Sequence, residues 1–354
     1  MTDDDWQRAL DGRPDCVPPD ARTRVWAGSE FVARQSVRHP DMLLQLVQDG
    51  LLQRRREAGE MAAELQSLVA GCDDETQLEA GLRRFRNREM VRIIWRDLND
   101  DADLSETLED LSELADICIR QALERLYLWA VEKDGVPRDV DGREQKLVVL
   151  GMGKLGAREL NLSSDIDLIY CFPSHGHTDG RRAVENEAFF LRLGRRLANV
   201  LSRQSVDGFV FRVDLRLRPF GDSGPLVVSF DGMEHYLQAQ AREWERYAMV
   251  KARAITGTPE DVDTLQALIK AFVYRRYIDF GVIESIRDMK RMIARELYKK
   301  GMDANIKLGL GGIREIEFIG QAFQLVRGGR DVDLQIRPIQ QVLERLGEKG
   351  LLPD

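Results

Sequence analysis

Gly151-Met152-Gly153-Lys154-Leu155-Gly156, followed after a short stretch by Ser163-Ser164-Asp165-Ile166-Asp167-Leu168-Ile169-Tyr170, decides how this chain is read. An apolar run of strand length, residues 146–150, leads into the glycines, and a second, residues 166–172, follows the serines. The first six residues satisfy G-x-G-x-x-G, so a dinucleotide-binding turn has to be weighed. Such a turn opens a full crossover helix and places an acid about 20 residues on, at the end of the next strand. The stretch between Gly156 and Ser163 is too short for that helix, and the acids come early and in a pair. The nicotinamide reading falls away.

Side chains two apart on a strand share a face, so Asp165 and Asp167 are expected side by side, opposite the apolar Ile166, Leu168 and Tyr170. Paired carboxylates repel unless a cation lies between them. Their hard oxygens suit Mg²⁺ or Mn²⁺, which complete their shells with water and substrate phosphates. A third acid, Asp214, stands in Phe211-Arg212-Val213-Asp214-Leu215-Arg216-Leu217-Arg218, whose strict alternation predicts a strand within residues 208–217. Alone, that row reads as paired charge on an exposed strand. Beside the first acidic strand it predicts a third metal ligand, flanked by guanidinium groups shaped to grip phosphate. Gly153 and Lys154 offer backbone N–H groups and a cation to a phosphate at a helix start.

Three aspartates on two strands plus a glycine turn are the parts of two-metal phosphoryl or nucleotidyl transfer. Asp165, Asp167 and Asp214 are therefore the candidate catalytic and metal-binding residues. Gly153, Lys154, Ser164, Arg216 and Arg218 are the candidates for holding phosphate and nucleotide. Ser163 and Ser164 are expected to shape the turn into the acidic strand rather than act as nucleophiles, since no His lies near them in sequence. His175 and His177 sit in a Pro/Ser/Gly/Thr loop without partners at ligand spacing, and solvent exposure is expected for both.

Residues 1–145 place apolar residues at helical spacing in 31–56, 85–98 and 104–131, which predicts a helical bundle with solvated charged faces. Residues 135–142 are polar and rich in turn formers and read as a linker. Strand, short helix, strand, a long helix over 184–205 and a further strand make a small mixed α/β unit over 146–257. Residues 258–354 return to helical periodicity, most clearly in 283–298, and Gly309, Gly311 and Gly312 precede another helical run over 316–326. The fold class is α+β, a small mixed sheet between helical regions. Trp244, Glu245 and Arg246 read as packing against the sheet, with Arg246 or Lys251 near the nucleotide as the alternative. Glu315 and Glu317 either approach the site or serve structurally.

The chain has 354 residues, which at about 150 per domain predicts roughly two domains. With 43% hydrophobic and 32% charged residues it has ample material for a core. Sixty acids against 52 bases give a net charge of −8, which argues against a protein that coats nucleic acid. The four cysteines are too scattered for a disulfide framework or a zinc site. The N-terminus lacks the marks of a signal peptide, and no run approaches the ~20 apolar residues of a membrane span. A cytoplasmic protein with no membrane and no nucleic-acid partner is expected. Leu351-Leu352-Pro353-Asp354 carries no finishing signal, which is the expectation for one part of a longer protein.

The run from Gly151 to Ile169 resembles the signature of the bifunctional glutamine synthetase adenylyltransferase/adenylyl-removing enzymes, in the DNA polymerase β-like nucleotidyltransferase superfamily. The likeness continues through Asp207-Gly208-Phe209-Val210-Phe211 to Gly221, and Trp244 to Arg253. It also takes in Lys307-Leu308-Gly309, Gly311 to Phe318 and, upstream, Arg84 to Leu98. That family carries two copies of the unit. Glu159 to Asp167 and the helical leader resemble the N-terminal, adenylyl-removing copy. The resemblance then implies phosphorolysis, in which phosphate attacks the adenylylated tyrosine of glutamine synthetase and releases tyrosine and ADP. It implies a Mg²⁺ or Mn²⁺ cofactor, phosphate and ADP or ATP as substrate or product, and adenylylated glutamine synthetase and the PII signalling protein as partners. Two alternatives stand beside it: adenylyl transfer from ATP to the glutamine synthetase tyrosine, and a silent regulatory domain that docks glutamine synthetase or PII.

Overall fold

The computed structural model describes residues 3–276 and 312–352, together with residues 284, 287, 288 and 291 of the stretch between them. The helix expected over 283–298 falls almost wholly outside the described residues, as do Lys307, Leu308, Gly309 and Gly311. The chain divides into two compact units. The first comprises Met1–Lys133, Glu159–Ile166 and Arg195–Val213; the second comprises Asp134–Arg158, Asp167–Gly194 and Asp214–Asp354.

Helices build the first unit: α1 (Asp3–Leu10), α2 (Pro19–Gly28), α3 (Glu30–Arg38), α4 (Pro40–Gln48), α5 (Glu60–Ala70), α6 (Glu75–Leu98) and α7 (Leu104–Asp134). Short polar side chains start α3 and α6. Ser29 accepts from the Val32 N–H at the head of α3, and Asp74 accepts from the Gln77 N–H at 2.8 Å at the head of α6. The charged faces expected to be solvated are not all so. Helix α6 packs against α2, α3, α4 and α5, leaving little of its circumference for water, and Glu89 and Arg92 are fully buried on it. Their charges are met inside. Glu89 accepts from Arg56 at 2.5 Å, from Arg92 Nε at 2.6 Å and from Arg88 at 3.0 Å, while Arg92 also reaches Asp110 of α7 at 2.6 Å. Burial opposes the Glu89 charge, but the surrounding guanidinium groups outweigh it and hold the carboxyl below its usual range.

Most of the strand residues belong to the second unit. β1 (Pro137–Asp139) pairs antiparallel with β4 (Gly176–Thr178), so the expected linker contains half of a small ribbon. The larger sheet has the order β5-β3-β2-β7, where β2 is Val148–Gly151, β3 Ile166–Phe172, β5 Val213–Asp214 and β7 Arg253–Ala254. A further strand, β6 (Val227–Ser229), runs parallel to β3. β2 and β3 are antiparallel, with Leu150 opposite Ile169 and Gly151 opposite Leu168. Between them lies only α8 (Gly153–Gly156), a single turn. The later helices are α9 (Asn186–Ser202), α10 (Phe230–Ala239), α11 (Glu243–Met249), α12 (Pro259–Val273), α13 (Ile313–Arg327) and α14 (Ile339–Glu348). Val148, Leu150, Ile169 and Cys171 of the sheet pack with Met233 and Leu237 of α10 and Leu265 and Ile269 of α12. The expected α+β architecture, a small mixed sheet flanked by helical regions, is therefore present.

The third strand is much shorter than the alternation suggested. Regular pairing covers only Val213 and Asp214, and residues 216–220 form turns and a bend. The cause is local: the Arg216 N–H donates to Asp214 Oδ1 at 2.8 Å, an aspartate turn that takes the chain off the ladder.

Candidate active site

Asp167 lies near the start of strand β3, half-buried, with its own carbonyl accepting from the Met152 N–H at 2.9 Å. Gly153 follows Met152 in the left-handed region, at φ +51°, and a Cβ there would come 3.2 Å from Asp167 Oδ2. The glycine turn thus lies directly against the carboxylate. Gly156 meets a harder constraint, because a Cβ would fall 2.0 Å from the Lys251 carbonyl oxygen and 2.5 Å from that of Gly151. Arg253 of β7 closes the turn by donating to the Leu155 and Gly156 carbonyls at 2.9 and 3.1 Å.

Asp214 ends β5, on the other side of β3 from β2. Its carboxylate is clasped by Arg216, whose Nε lies 2.9 Å from Oδ2 and whose Nη2 lies 2.5 Å from the same oxygen. Those hydrogen bonds hold the Asp214 carboxyl below its usual range and raise Arg216, to which the nearby Asp167 charge also contributes. Arg216 therefore grips an aspartate here rather than standing ready for phosphate. Arg218 is likewise engaged, donating to the carbonyls of Leu215 at 2.7 Å and Asp222 at 3.2 Å, and so braces the turn.

Lys154, in α8, has its Nζ 3.4 Å from Glu317 Oε1 of α13, and the buried Lys251 reaches the same oxygen at 2.9 Å. Burial opposes the Glu317 charge, yet the two lysines keep its carboxyl below the usual range. This cluster went largely unread in the sequence. The sequence leaves the roles of Glu317 and Lys251 open, and their one signal is that each lies in a segment carrying the family likeness.

Asp165 and Ser164 belong to the first unit. Asp165 is half-exposed and ion-pairs with Arg212, which also donates to the Ser163 carbonyl. The Ser164 N–H donates to the Asn161 carbonyl at 3.1 Å, the turn-shaping place expected of it. Among the described residues, no group of three or more His, Cys, Asp or Glu side chains that could hold a metal ion is found. Asp167 and Asp214 retain the hard-oxygen chemistry that a divalent cation needs, on adjoining strands, but release of Asp214 from Arg216 is required before it can serve. His175 and His177 are exposed, and Arg246 is buried, donating to the Val273 and Leu325 carbonyls as a packing residue would.

A family model described as glutamate-ammonia ligase adenylyltransferase matches residues 21–267, well over half of the chain. The chain belongs to the glutamate-ammonia ligase adenylyltransferase family. A second model, described as GlnD PII-uridylyltransferase, matches residues 287–354. Among curated proteins, the bifunctional glutamine synthetase adenylyltransferase/adenylyl-removing enzyme of Thioalkalivibrio sulfidiphilus is 54% identical over 335 residues, covering 95% of this chain and 34% of that protein. The enzymes of the same name from Nitrosococcus oceani and Pseudomonas aeruginosa are each 54% identical, covering 93% of this chain and 34% of theirs. The chain thus spans about a third of the length of the curated relatives it matches.

These matches support the bifunctional family and correct the narrower reading. The chain was expected to be the adenylyl-removing part, acting by phosphorolysis. The model that covers the acidic strands and the glycine turn carries the adenylyltransferase description instead, so membership of this glutamate-ammonia ligase adenylyltransferase family favours adenylyl transfer. No helix among the described residues is long and apolar enough to cross a membrane.

Proposed function

We propose that the chain carries an adenylyl-transfer site, in which ATP gives its AMP moiety to a tyrosine hydroxyl of glutamine synthetase in the cytoplasm, under the influence of PII. The observation that carries this reading is the placing of Asp167 and Asp214 on adjoining strands with the Gly153 turn against Asp167. In the reaction the tyrosine hydroxyl gives its proton to solvent, its oxygen forms a bond to the α-phosphorus, the α–β phosphoanhydride bond breaks, and pyrophosphate leaves with the electron pair.

Asp167 and Asp214 would hold the divalent ion, Mg²⁺ or Mn²⁺, which supplies charge neutralisation at the α-phosphate and the leaving pyrophosphate. Gly153 lets the turn approach the reacting phosphates without a side chain in the way. Lys154 offers a cation one residue further on. Arg216 keeps Asp214 ionised and, once released from it, would be available to phosphate oxygens. Arg218 braces the turn that follows Asp214.

The test is incubation of the full chain with unmodified glutamine synthetase, Mg²⁺ and ATP labelled at the α-phosphorus. Label is expected on glutamine synthetase with stoichiometric release of pyrophosphate, and both are lost in Asp167→Asn. Absence of label transfer with glutamine synthetase and PII both present overturns the reading.

A further inference from the structure

Phe220 is held where a phenylalanine is rarely found. Its backbone lies in the left-handed region, at φ 62° and ψ 12°, and among the described residues it is the one aromatic there. A bulky L side chain in that region crowds its own backbone, so the conformation persists only where neighbouring contacts enforce it. They do so here. Arg218 donates to the carbonyls of Leu215 at 2.7 Å and Asp222 at 3.2 Å, and its own carbonyl accepts from the Gly221 N–H at 2.9 Å. Ser223 Oγ donates to the Phe220 carbonyl at 2.8 Å. Gly224 closes in from the far end of the turn, where a Cβ would fall 2.0 Å from the Pro219 carbonyl oxygen.

Burial does not explain the arrangement. The Phe220 ring meets Tyr236 of α10 in a T-shaped contact, 4.6 Å between centroids, yet 54% of the residue stays open to solvent. A ring fixed by its turn but left so exposed gains little from exclusion of water, and offers its remaining surface to something flat and apolar.

Position says what that is. The turn starts at the clasp on Asp214, and a Cβ on Gly221, the residue after Phe220, would stand 3.7 Å from the Arg216 carbonyl oxygen. Phe220 is therefore carried by the same few residues as the carboxylate proposed to meet the α-phosphate. A nucleotide with its α-phosphorus at that carboxylate must set down its base within the reach of one ribose. We infer that Phe220 is the platform on which the adenine of the nucleotide stacks, presented by the turn that also fixes Asp214. The inference rests on the adenylyl-transfer reading for its ligand and assigns the base, which none of the groups placed at the phosphates touches. The ring is set before the ligand enters, so little ordering remains to be done on binding.

Binding, measured apart from turnover, tests this. Titration calorimetry on the full chain with Mg²⁺ compares ATP with inorganic tripolyphosphate, which has the phosphates and no base. Phe220→Ala is expected to weaken ATP about tenfold, the loss of one base–aromatic stack, and to leave tripolyphosphate unchanged. Phe220→Tyr, which keeps a ring, is expected to bind ATP as the parent does. Parent-like ATP affinity in a folded Phe220→Ala overturns the inference. An equal loss for tripolyphosphate overturns it too, since that is what a displaced Asp214 turn would give.

Should Phe220→Ala fail to fold, the unmodified protein answers. ATP bearing an azide on the adenine is photolysed on the full chain and the label mapped. Label within residues 216–224 or on Tyr236 supports the assignment, and label confined to other segments overturns it. Loss of adenylyl transfer in the glutamine synthetase assay, with these binding results intact, counts against the reaction alone.

Discussion

The Arg216 guanidinium and backbone N–H both close on the Asp214 carboxylate, with Nε 2.9 Å from Oδ2 and the amide 2.8 Å from Oδ1. One residue thus ends the strand, fixes the acid's rotamer and occupies the oxygens of the carboxylate proposed to hold the metal ion. Arg216 is mostly exposed, so the clasp is open to water and to competing cations.

Because a guanidinium and a divalent ion compete for the same oxygens, Arg216→Gln should bind Mn²⁺ more tightly than the parent, by about three- to tenfold. Calorimetric Mn²⁺ titration at fixed ionic strength reads this directly. An unchanged affinity would show that Asp214 is not a ligand.

Asp214→Asn removes the charge but keeps the shape. Transfer of the labelled adenylyl group should fall on the order of 100-fold or more, while the far-UV circular dichroism stays that of the parent. In the parent, the Asp214 carboxyl is held below its usual value, so the group stays ionised as pH falls to 5, and any loss of transfer between pH 7 and 5 has another origin. A carboxyl ¹³C titration of Asp214 checks the sign, with its inflection expected below the ordinary 3.8.

Glu89 is the centre of the buried network in the first unit, and Glu89→Gln leaves Arg56, Arg88 and Arg92 facing a neutral amide. Destabilisation of about 3–5 kcal/mol is expected in urea unfolding, the range for breaking a buried pair. The Glu89 carboxyl is depressed in the folded chain, so its contribution is present above the unfolded value near 4.5 and lost as pH falls through the folded one. The variant should accordingly lose less of its remaining stability than the parent as pH falls below 4.5.

Gly156→Ala probes close approach alone, since no left-handed backbone is involved. The added methyl would sit 2.0 Å from the Lys251 carbonyl oxygen, so either the turn or the 251–253 segment must shift. A loss of about 1–3 kcal/mol in thermal unfolding is expected, together with weaker nucleotide binding.

Where periodicity was long and the residues apolar, the sequence was readable. The strand over 166–172 has those bounds in the structure, and the helix expected over 184–205 is found at Asn186–Ser202. The failures have physical causes. In residues 208–217 the alternation of Phe211, Val213, Leu215 and Leu217 looked like one strand, but the aspartate turn at Asp214 ended it, because a local hydrogen bond outcompeted the ladder. In α6 the charges looked like a solvated face, yet tertiary neighbours surround the helix, which no single-helix pattern can reveal. Local motif residues such as Gly153 and Asp167 were found from spacing, whereas the meeting of Lys154, Lys251 and Glu317 depends on chain folding over more than 160 positions, beyond the reach of spacing.

Glu89 serves three guanidinium groups at once, and one of them, Arg92, is shared onward with Asp110. None of these positions can drift alone without stranding a charge in the interior. An evolutionary route to an apolar core at this place therefore has to replace several of them together, and laboratory libraries that randomise one codon at a time should find the locus frozen while combinatorial ones find it open.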